Sequence, residues 1–403
     1  MALKCWPPLP IVVKYGTPSP KDENHTVAVL THSDGVSSIS PTVVSSLLKN
    51  LGKTKPEEPF PELEELVLLS RDITDVVLPT DSETTWCSRL RRLHLARVNF
   101  ATLSVLLSSS KNLVDIRLRE VPNIESLSPE AFAGLLSGAT QLQSLTLQHR
   151  SPVPHSRYMI PFPSTGSSQR VVLPALADLV FHGTSEFFDR FLARIDSPLL
   201  QRVTFNQTNL ATSESKLSDF VDQMDVQTRM SHRRADIIYS ERAFSICITK
   251  PGSPMCLKVE VPYAPSDRAP HIFKSRIFSA CIARVEDLRI VTTRMSSARP
   301  GDDWDVEKWF DLIYQFRSVK WLHLAGDHLT NVICAFQVSH MRPERLLLAL
   351  HKLYVRELEP HYAPLRGAVT SFVRSRWASG YFIVVEYEGS STNDPCGTGM
   401  TNT

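Results

Sequence analysis

One apolar pattern recurs along the chain: an anchor, a second anchor three positions on, and a third two further. It reads Val36/Ile39, Leu63/Leu66/Leu68, Leu90/Leu93/Leu95, Leu113/Ile116/Leu118, Leu142/Leu145/Leu147, Leu176/Leu179/Phe181 and Leu200/Val203/Phe205. After a gap it returns as Val285/Leu288/Ile290, Val319/Leu322/Leu324 and Leu350/Leu353/Val355. The second and third anchors alternate with polar residues at period two, which predicts a short strand with one dry face and one wet face. Helical patterns fall between anchors at residues 102–110, 129–137, 185–195 and 305–316. Ser128-Pro129-Glu130 opens one of them with an N-cap hydroxyl, a proline at the first helical position and an acid in the first turn. A strand and a helix per unit of mostly 23 to 34 residues predict an α/β fold, an irregular leucine-rich-repeat solenoid of open right-handed strand–helix repeats. One unit alone exposes its apolar face; stacking joins those faces into a core.

The repeats are irregular. With the first anchor as position one, the ninth position of such repeats usually holds Asn or Cys to bond the turn backbone. Here it reads Arg71, Val98, Val121, Arg150, Thr184 and Thr208. Residues 151–169, rich in Pro and Ser, predict an exposed loop. No clear anchor triplet occurs within 211–284, but 235–240, 243–249 and 255–261 alternate apolar and polar residues around Pro251-Gly252. That alternation predicts a β-hairpin insert. Helix-like segments are expected at 271–284, 331–338 and 342–348. The expected organisation is N-terminal repeats over 1–233, the insert over 234–270, C-terminal repeats with a cap over 271–388, and a disordered tail over 389–403.

Composition narrows the function classes. Lys and Arg number 44 against 42 Asp and Glu, a formal net charge of +2, so no global field draws the chain to nucleic acid or to an anionic membrane. With 15 Gly against 28 Pro, it is poor in the residue that lets backbone amides approach a phosphate. The lone Gly-x-Gly, Gly397-Thr398-Gly399, precedes no helix. The seven cysteines, at 5, 87, 247, 256, 281, 334 and 396, include no Cys-x-x-Cys. Their odd number predicts reduced thiols of the cytosol or nucleus rather than a zinc site or a disulfide framework. Cys247 and Cys256 fall on neighbouring predicted strands and read as a reduced core pair. No apolar run reaches the length of a membrane span, and Pro7 and Pro8 stand where a signal peptide needs an apolar helix.

No nucleophile elbow, His-Glu-x-x-His, P-loop or EF-hand loop is present, and the histidines are scattered. No catalysis, cofactor or bound metal is therefore expected. Asp302, Asp303, Asp305 and Glu307 form the densest acidic cluster, beside Trp304 and Trp309. Asp303-x-Asp305 would suit the divalent metal of a sugar-nucleotide transferase. Acids at a helix N-terminus, with a tryptophan anchoring that helix to the core, explain it more simply. Arg89, Arg91, Arg92, Arg97, Arg117 and Arg119 lack the interleaved aromatics of a nucleic-acid binder and read as the wet side of two strands. Positions three, five and seven of each unit point to the concave face of a solenoid, its usual ligand surface. The protein-binding candidates there are Arg92, His94, Asp115, Arg117, Arg119, Gln148, His182 and Arg202, then Trp321, His323, Tyr354 and Arg356. Arg, Trp and Tyr dominate binding hot spots. Arg92, His94, Arg117, Arg119 and Arg202 would suit an acidic or phosphorylated protein partner.

Four stretches carry a family resemblance. Trp6-Pro7-Pro8-Leu9-Pro10-Ile11-Val12-Val13 resembles the start of the repeat region of the basidiomycete F-box/leucine-rich-repeat proteins. Pro59-Phe60-Pro61-Glu62-Leu63-Glu64-Glu65-Leu66 resembles their first strong repeat, and Leu127-Ser128-Pro129-Glu130-Ala131 a recurrent helix start. The stretch from Glu359-Pro360-His361-Tyr362-Ala363-Pro364-Leu365-Arg366 through Glu386-Tyr387-Glu388 is the most specific, and together they cover roughly residues 6–388. The resemblance implies the substrate-binding region of an F-box receptor of a cullin-type ubiquitin ligase. In that family an F-box precedes this region and docks on a Skp-type adaptor, whereas this sequence starts after that point. Leu9-Pro10-Ile11 is similar to the Leu-Pro that opens an F-box, but Val12-Val13-Lys14-Tyr15-Gly16 predicts a turn rather than a helix. Adaptor and cullin are thus expected partners only with an F-box upstream. The alternative is a free-standing repeat scaffold or decoy.

Overall fold

The computed structural model describes residues 11–14, 35–40, 42–43, 60–74, 87–98, 100–121, 128–148, 170–209, 233–240, 243–249, 256–262, 282–293, 306–326, 329–338, 347–356 and 363–388. The expected loop at 151–169, the helices expected at 271–284 and 342–348, and the tail at 389–403 lie wholly or mostly outside them. The chain divides into two units, Met1–Phe220 and Val221–Thr403.

The first unit contains strands β1 (Ile11–Lys14), β2 (Val36–Ser40), β3 (Thr42–Val43), β4 (Glu65–Thr74), β5 (Arg92–Val98), β6 (Asp115–Arg119), β7 (Ser144–Gln148), β8 (Val171–Val172), β9 (Asp178–Thr184), β10 (Ile195–Asp196) and β11 (Arg202–Asn209). Its helices are α1 (Phe100–Ser109), α2 (Pro129–Leu135) and α3 (Ser185–Leu192). Strands β1, β2, β4, β5, β6, β7, β9 and β11 lie side by side in chain order, each parallel to the next. β3 pairs with β4, and β8 with β10. Residues Ile11–Lys14 extend and pair with β2, and the turn to which the sequence leads at Tyr15-Gly16 lies outside the described residues. A β-branched Ile-Val-Val run fits a pleated strand once a neighbour is there to bond it.

The second unit combines two patterns. β12 (Arg233–Tyr239), β13 (Ala243–Thr249) and β14 (Cys256–Pro262) form an antiparallel meander, one strand for each of the three alternating segments read from the sequence. β12 then pairs in parallel with β15 (Val285–Thr292), which leads through β16 (Trp321–Gly326) and β17 (Lys352–Arg356) to β18 (Val384–Glu388), all parallel. Helices α4 (Val306–Ile313), α5 (Leu329–Val338) and α6 (Ala363–Ala378) occupy the crossovers. The fold is therefore mixed α/β, dominated by parallel strands.

All the anchors read from the sequence are buried, none more than 5 % exposed. Parallel neighbours need a crossover connection, and the helices in those crossovers bring further apolar groups to the same face. Ser128 Oγ caps α2 by accepting from the Ala131 amide at 3.1 Å, and Phe132 on that helix meets Phe191 of α3 at 5.5 Å. Phe188 of α3 stacks on Phe181 of β9 at 5.0 Å and on Phe205 of β11 at 4.7 Å. In the second unit Trp309 of α4 meets Tyr239 of β12 edge-on at 5.8 Å, as expected for a tryptophan anchoring that helix. Phe336 of α5 packs on Phe372 of α6 at 4.9 Å.

Parallel sheets covered on both faces have strands that are apolar throughout. These strands instead alternate buried and accessible residues: β9 does so along its whole length, and β7, β16 and β17 follow the same rhythm. The sheet of each unit thus has one apolar, helix-facing side and one polar side.

A further buried position stands three residues before the first anchor. It is filled by Phe60, Cys87, Ser110, Ala139, Leu173, Ile282, Phe316 and Leu347. At five of these positions the anchor amide bonds back to that residue's carbonyl: Leu63 to Phe60 at 3.3 Å, Leu90 to Cys87 at 3.3 Å, Leu142 to Ala139 at 3.1 Å, Leu176 to Leu173 at 3.2 Å and Leu350 to Leu347 at 2.9 Å. A tight turn delivers the chain into those five strands. Where a hydroxyl takes the place, at Ser110, its Oγ donates to the Cys87 carbonyl at 3.3 Å, so the buried group is satisfied.

Candidate binding face

Parallel pairing in register places equivalent residues of successive units side by side, and the polar side of each sheet becomes a grid. In the first unit one row runs Glu65, Arg92, Asp115, Ser144, Asp178, Arg202. The next runs Val67, His94, Arg117, Thr146, Val180, Thr204, and a third Leu69, Ala96, Arg119, Gln148, His182, Asn206. The sequence candidates Arg92, His94, Asp115, Arg117, Arg119, Gln148, His182 and Arg202 all stand on this one face.

Asp115 is its electrostatic centre. His94 Nε2 lies 3.2 Å from Asp115 Oδ2, and Arg117 Nη2 lies 3.0 Å from the same oxygen. Burial raises the carboxyl pKa, but the hydrogen bond from His94 and the charge and hydrogen bond of Arg117 outweigh it, leaving Asp115 below the ordinary value of 3.8. Asp178 accepts from Arg202 through Nε and Nη2, with Nη2 at 2.6 Å from Oδ2. Asn206 Nδ2 donates to His182 Nδ1 at 2.9 Å. Arg92 and Arg119 are exposed, the first between Glu65 and Asp115 and the second between Ala96 and Gln148 in their rows. The five basic residues expected to act together are thus already interleaved with Asp115 and Asp178.

The second unit presents its own face. One row runs Arg234, Asp287, Trp321, Lys352, Val384, and the next Asp236, Arg289, His323, Tyr354, Glu386. His323 and Tyr354 stack with ring centres 4.2 Å apart and planes 3° from parallel. Lys352 Nζ sits 4.7 Å from the Tyr354 ring centre and bonds Glu386 at 2.7 Å. The bond to Glu386 first, then that to Tyr354, holds the ammonium pKa above its usual value. Asp287 Oδ1 approaches His323 Nε2 at 3.4 Å. Trp321 is exposed beside this cluster, and Arg356 stands exposed in the following row, next to Ala325.

Sequence reasoning found Trp321, His323, Tyr354 and Arg356 but missed their neighbours. Asp287 and Arg289 occupy positions three and five of the Val285 unit, so the same rule already contained them. Glu386 was hidden because β18 carries no anchor triplet. Of the acidic cluster, Glu307 is exposed in the first turn of α4, while Asp302, Asp303 and Asp305 lie outside the described residues. Among the described residues no group of three His, Cys, Asp or Glu is placed to hold a metal, and no helix is long and apolar enough to cross a membrane. Compared with known proteins, the sequence matches no family model, and no curated protein matches it.

Proposed function

We propose that the chain is a protein-recognition module without catalytic activity, built as an irregular leucine-rich-repeat solenoid. Its reading is that of the substrate-binding region of an F-box receptor of a cullin-type ubiquitin ligase, working in the cytoplasm or nucleus. The observation that carries this is the in-register grid: strands buried on one side by helices offer rows of Arg, His, Asp, Trp and Tyr on the other. Such a face is rigid, because its backbone is fixed by the sheet, and its side chains are of the types that dominate binding hot spots. The partner is a protein bearing acidic or phosphorylated groups, met by Arg92, Arg117 and Arg119, with Trp321 and Tyr354 as aromatic anchors in the second unit.

The test is affinity capture with the full chain and with a variant reversed in charge at Arg92, Arg117 and Arg119. Specific partners should be lost from the variant while its thermal unfolding midpoint moves by only a few degrees. Equal capture by both would overturn the assignment of this face. Recovery of a Skp-type adaptor and a cullin with the partners supports the ligase role. Recovery of the partners alone assigns the chain as a free-standing scaffold or decoy.

A further inference from the structure

Cys247 on β13 and Cys256 on β14 are brought together by the register of the meander. Cys247 lies opposite Lys258, and Thr249 lies opposite Cys256, so the two cysteines are diagonal neighbours on one side of the sheet. Ile246 and Ile248, pointing the other way, are buried. The two sulfur atoms stand 3.0 Å apart as reduced thiols in contact with each other, both half-buried. A disulfide bond is about 2.05 Å long, so closure asks the sulfurs to approach by about another 1 Å. The nearby charges are Asp236, opposite Cys247 on β12, and Lys258. The Cys256 sulfur first, then burial, then Asp236 push the Cys247 thiol above its usual range, with Lys258 partly offsetting them. Either thiol can donate its S–H to the other across this contact.

We propose that Cys247 and Cys256 form a reversible dithiol/disulfide site that exchanges with a small-molecule disulfide such as oxidised glutathione. One protein thiolate attacks a sulfur of the oxidant, forming a mixed disulfide and expelling one glutathione thiolate. The second protein thiolate then attacks the protein sulfur of that mixed disulfide and expels the other glutathione. Two electrons pass to the oxidant, and the two protons lost by the cysteines appear on the two released thiols. The ring so formed lies on the polar side of the sheet, in the row that continues through Asp236, Arg289, His323 and Tyr354. The site is independent of whether that face binds a partner.

The experiment uses the full reduced chain, equilibrated without air at graded ratios of oxidised to reduced glutathione, quenched with a maleimide, digested and mapped by mass spectrometry. The expected product is a peptide linking Cys247 to Cys256, lighter by two hydrogen atoms and reversed by dithiothreitol, while buried Cys87 stays reduced and is alkylated only once the chain is unfolded in maleimide. Cys247→Ser and Cys256→Ser should each abolish the link and leave the remaining thiol as a glutathione adduct. The link should form at least tenfold faster in the native chain than in the same chain in urea, because the fold holds the thiols together. Full alkylation of both cysteines under oxidising ratios, or equal rates in native and unfolded chain, overturns the proposal.

Discussion

Arg97 and Glu120 occupy the same place in successive units and bond each other: Arg97 Nε donates to Glu120 Oε2 at 2.8 Å. Both also adopt left-handed backbone, with φ of 57° and 47°. The eighth position of a unit is where the chain leaves its strand, and Gly326 takes it in a later unit with φ of 118°. A left-handed residue with a Cβ costs roughly 1–2 kcal/mol, while a half-exposed ion pair returns under about 1 kcal/mol.

Glu120 therefore separates the two effects. Glu120→Ala loses the ion pair and keeps the strain; Glu120→Gly loses the ion pair and relieves it. The glycine variant should be more stable than the alanine variant by about 1 kcal/mol in urea unfolding. The reverse order would show that this backbone is not strained.

Gly326 has no such latitude. A Cβ there would fall 1.8 Å from the Thr292 carbonyl oxygen on the neighbouring strand, on top of the positive φ. Gly326→Ala should cost about 3 kcal/mol or more, since relief requires the two strands to part. Gly367, inside α6 and with open space around it, should respond the opposite way: Gly367→Ala should add about 0.5–1 kcal/mol. Chemical denaturation of both variants checks the pair.

Asp115 sets an acid limb. A carboxyl whose folded pKa is depressed contributes stability above its unfolded pKa, and that contribution is lost as pH falls through the folded value. Acidification from about pH 5 to pH 2 should therefore weaken the wild type through Asp115. Asp115→Asn should show a flatter fall over that window, because no proton is taken up there. Parallel stability curves would remove Asp115 as a source of the acid response.

Arg376 is buried to 2 % exposure, with its guanidinium 4.5 Å from the Tyr381 ring centre and Nη2 donating to the Leu347 carbonyl at 3.0 Å. Burial lowers its pKa, and Tyr381 offsets only part of that. Leu347 itself has φ of 49°, so this hydrogen bond holds a left-handed residue in place. Arg376→Met keeps most of the volume and loses the bond; Arg376→Ala also leaves a cavity. Both should lower the melting temperature, with alanine the worse by about 1–2 kcal/mol.

The anchors were legible because burial on one sheet face imposes a short, fixed spacing that few other structures share. The buried position three residues earlier was not: Phe60, Cys87, Ser110 and Ala139 fill it with an aromatic, a thiol, a hydroxyl and a methyl, so no residue type marks it. The alternation in β12, β13 and β14 was readable, whereas the parallel pairing of β12 with β15 depends on a long-range contact with no local sign. The outward positions followed once the anchors were aligned, but the bonds of Asp115 to His94 and Arg117 needed the register itself. Left-handed Arg97 and Glu120 carry no sequence mark, since neither is a glycine and the pairing between them needs the register to be seen.

In several units the carbonyl that precedes the strand accepts two amides from the next one. Glu64 receives Arg91 and Arg92, Arg91 receives Val114 and Asp115, Val114 receives Gln143 and Ser144, and Lys320 receives His351 and Lys352. Succession from one strand to the next is thus written in the main chain. Side chains on the polar side add ion pairs and hydrogen bonds across the same strands, but the main-chain bonds do not depend on their identity. Many of the outward side chains can therefore be exchanged without rewriting the order in which the strands pair.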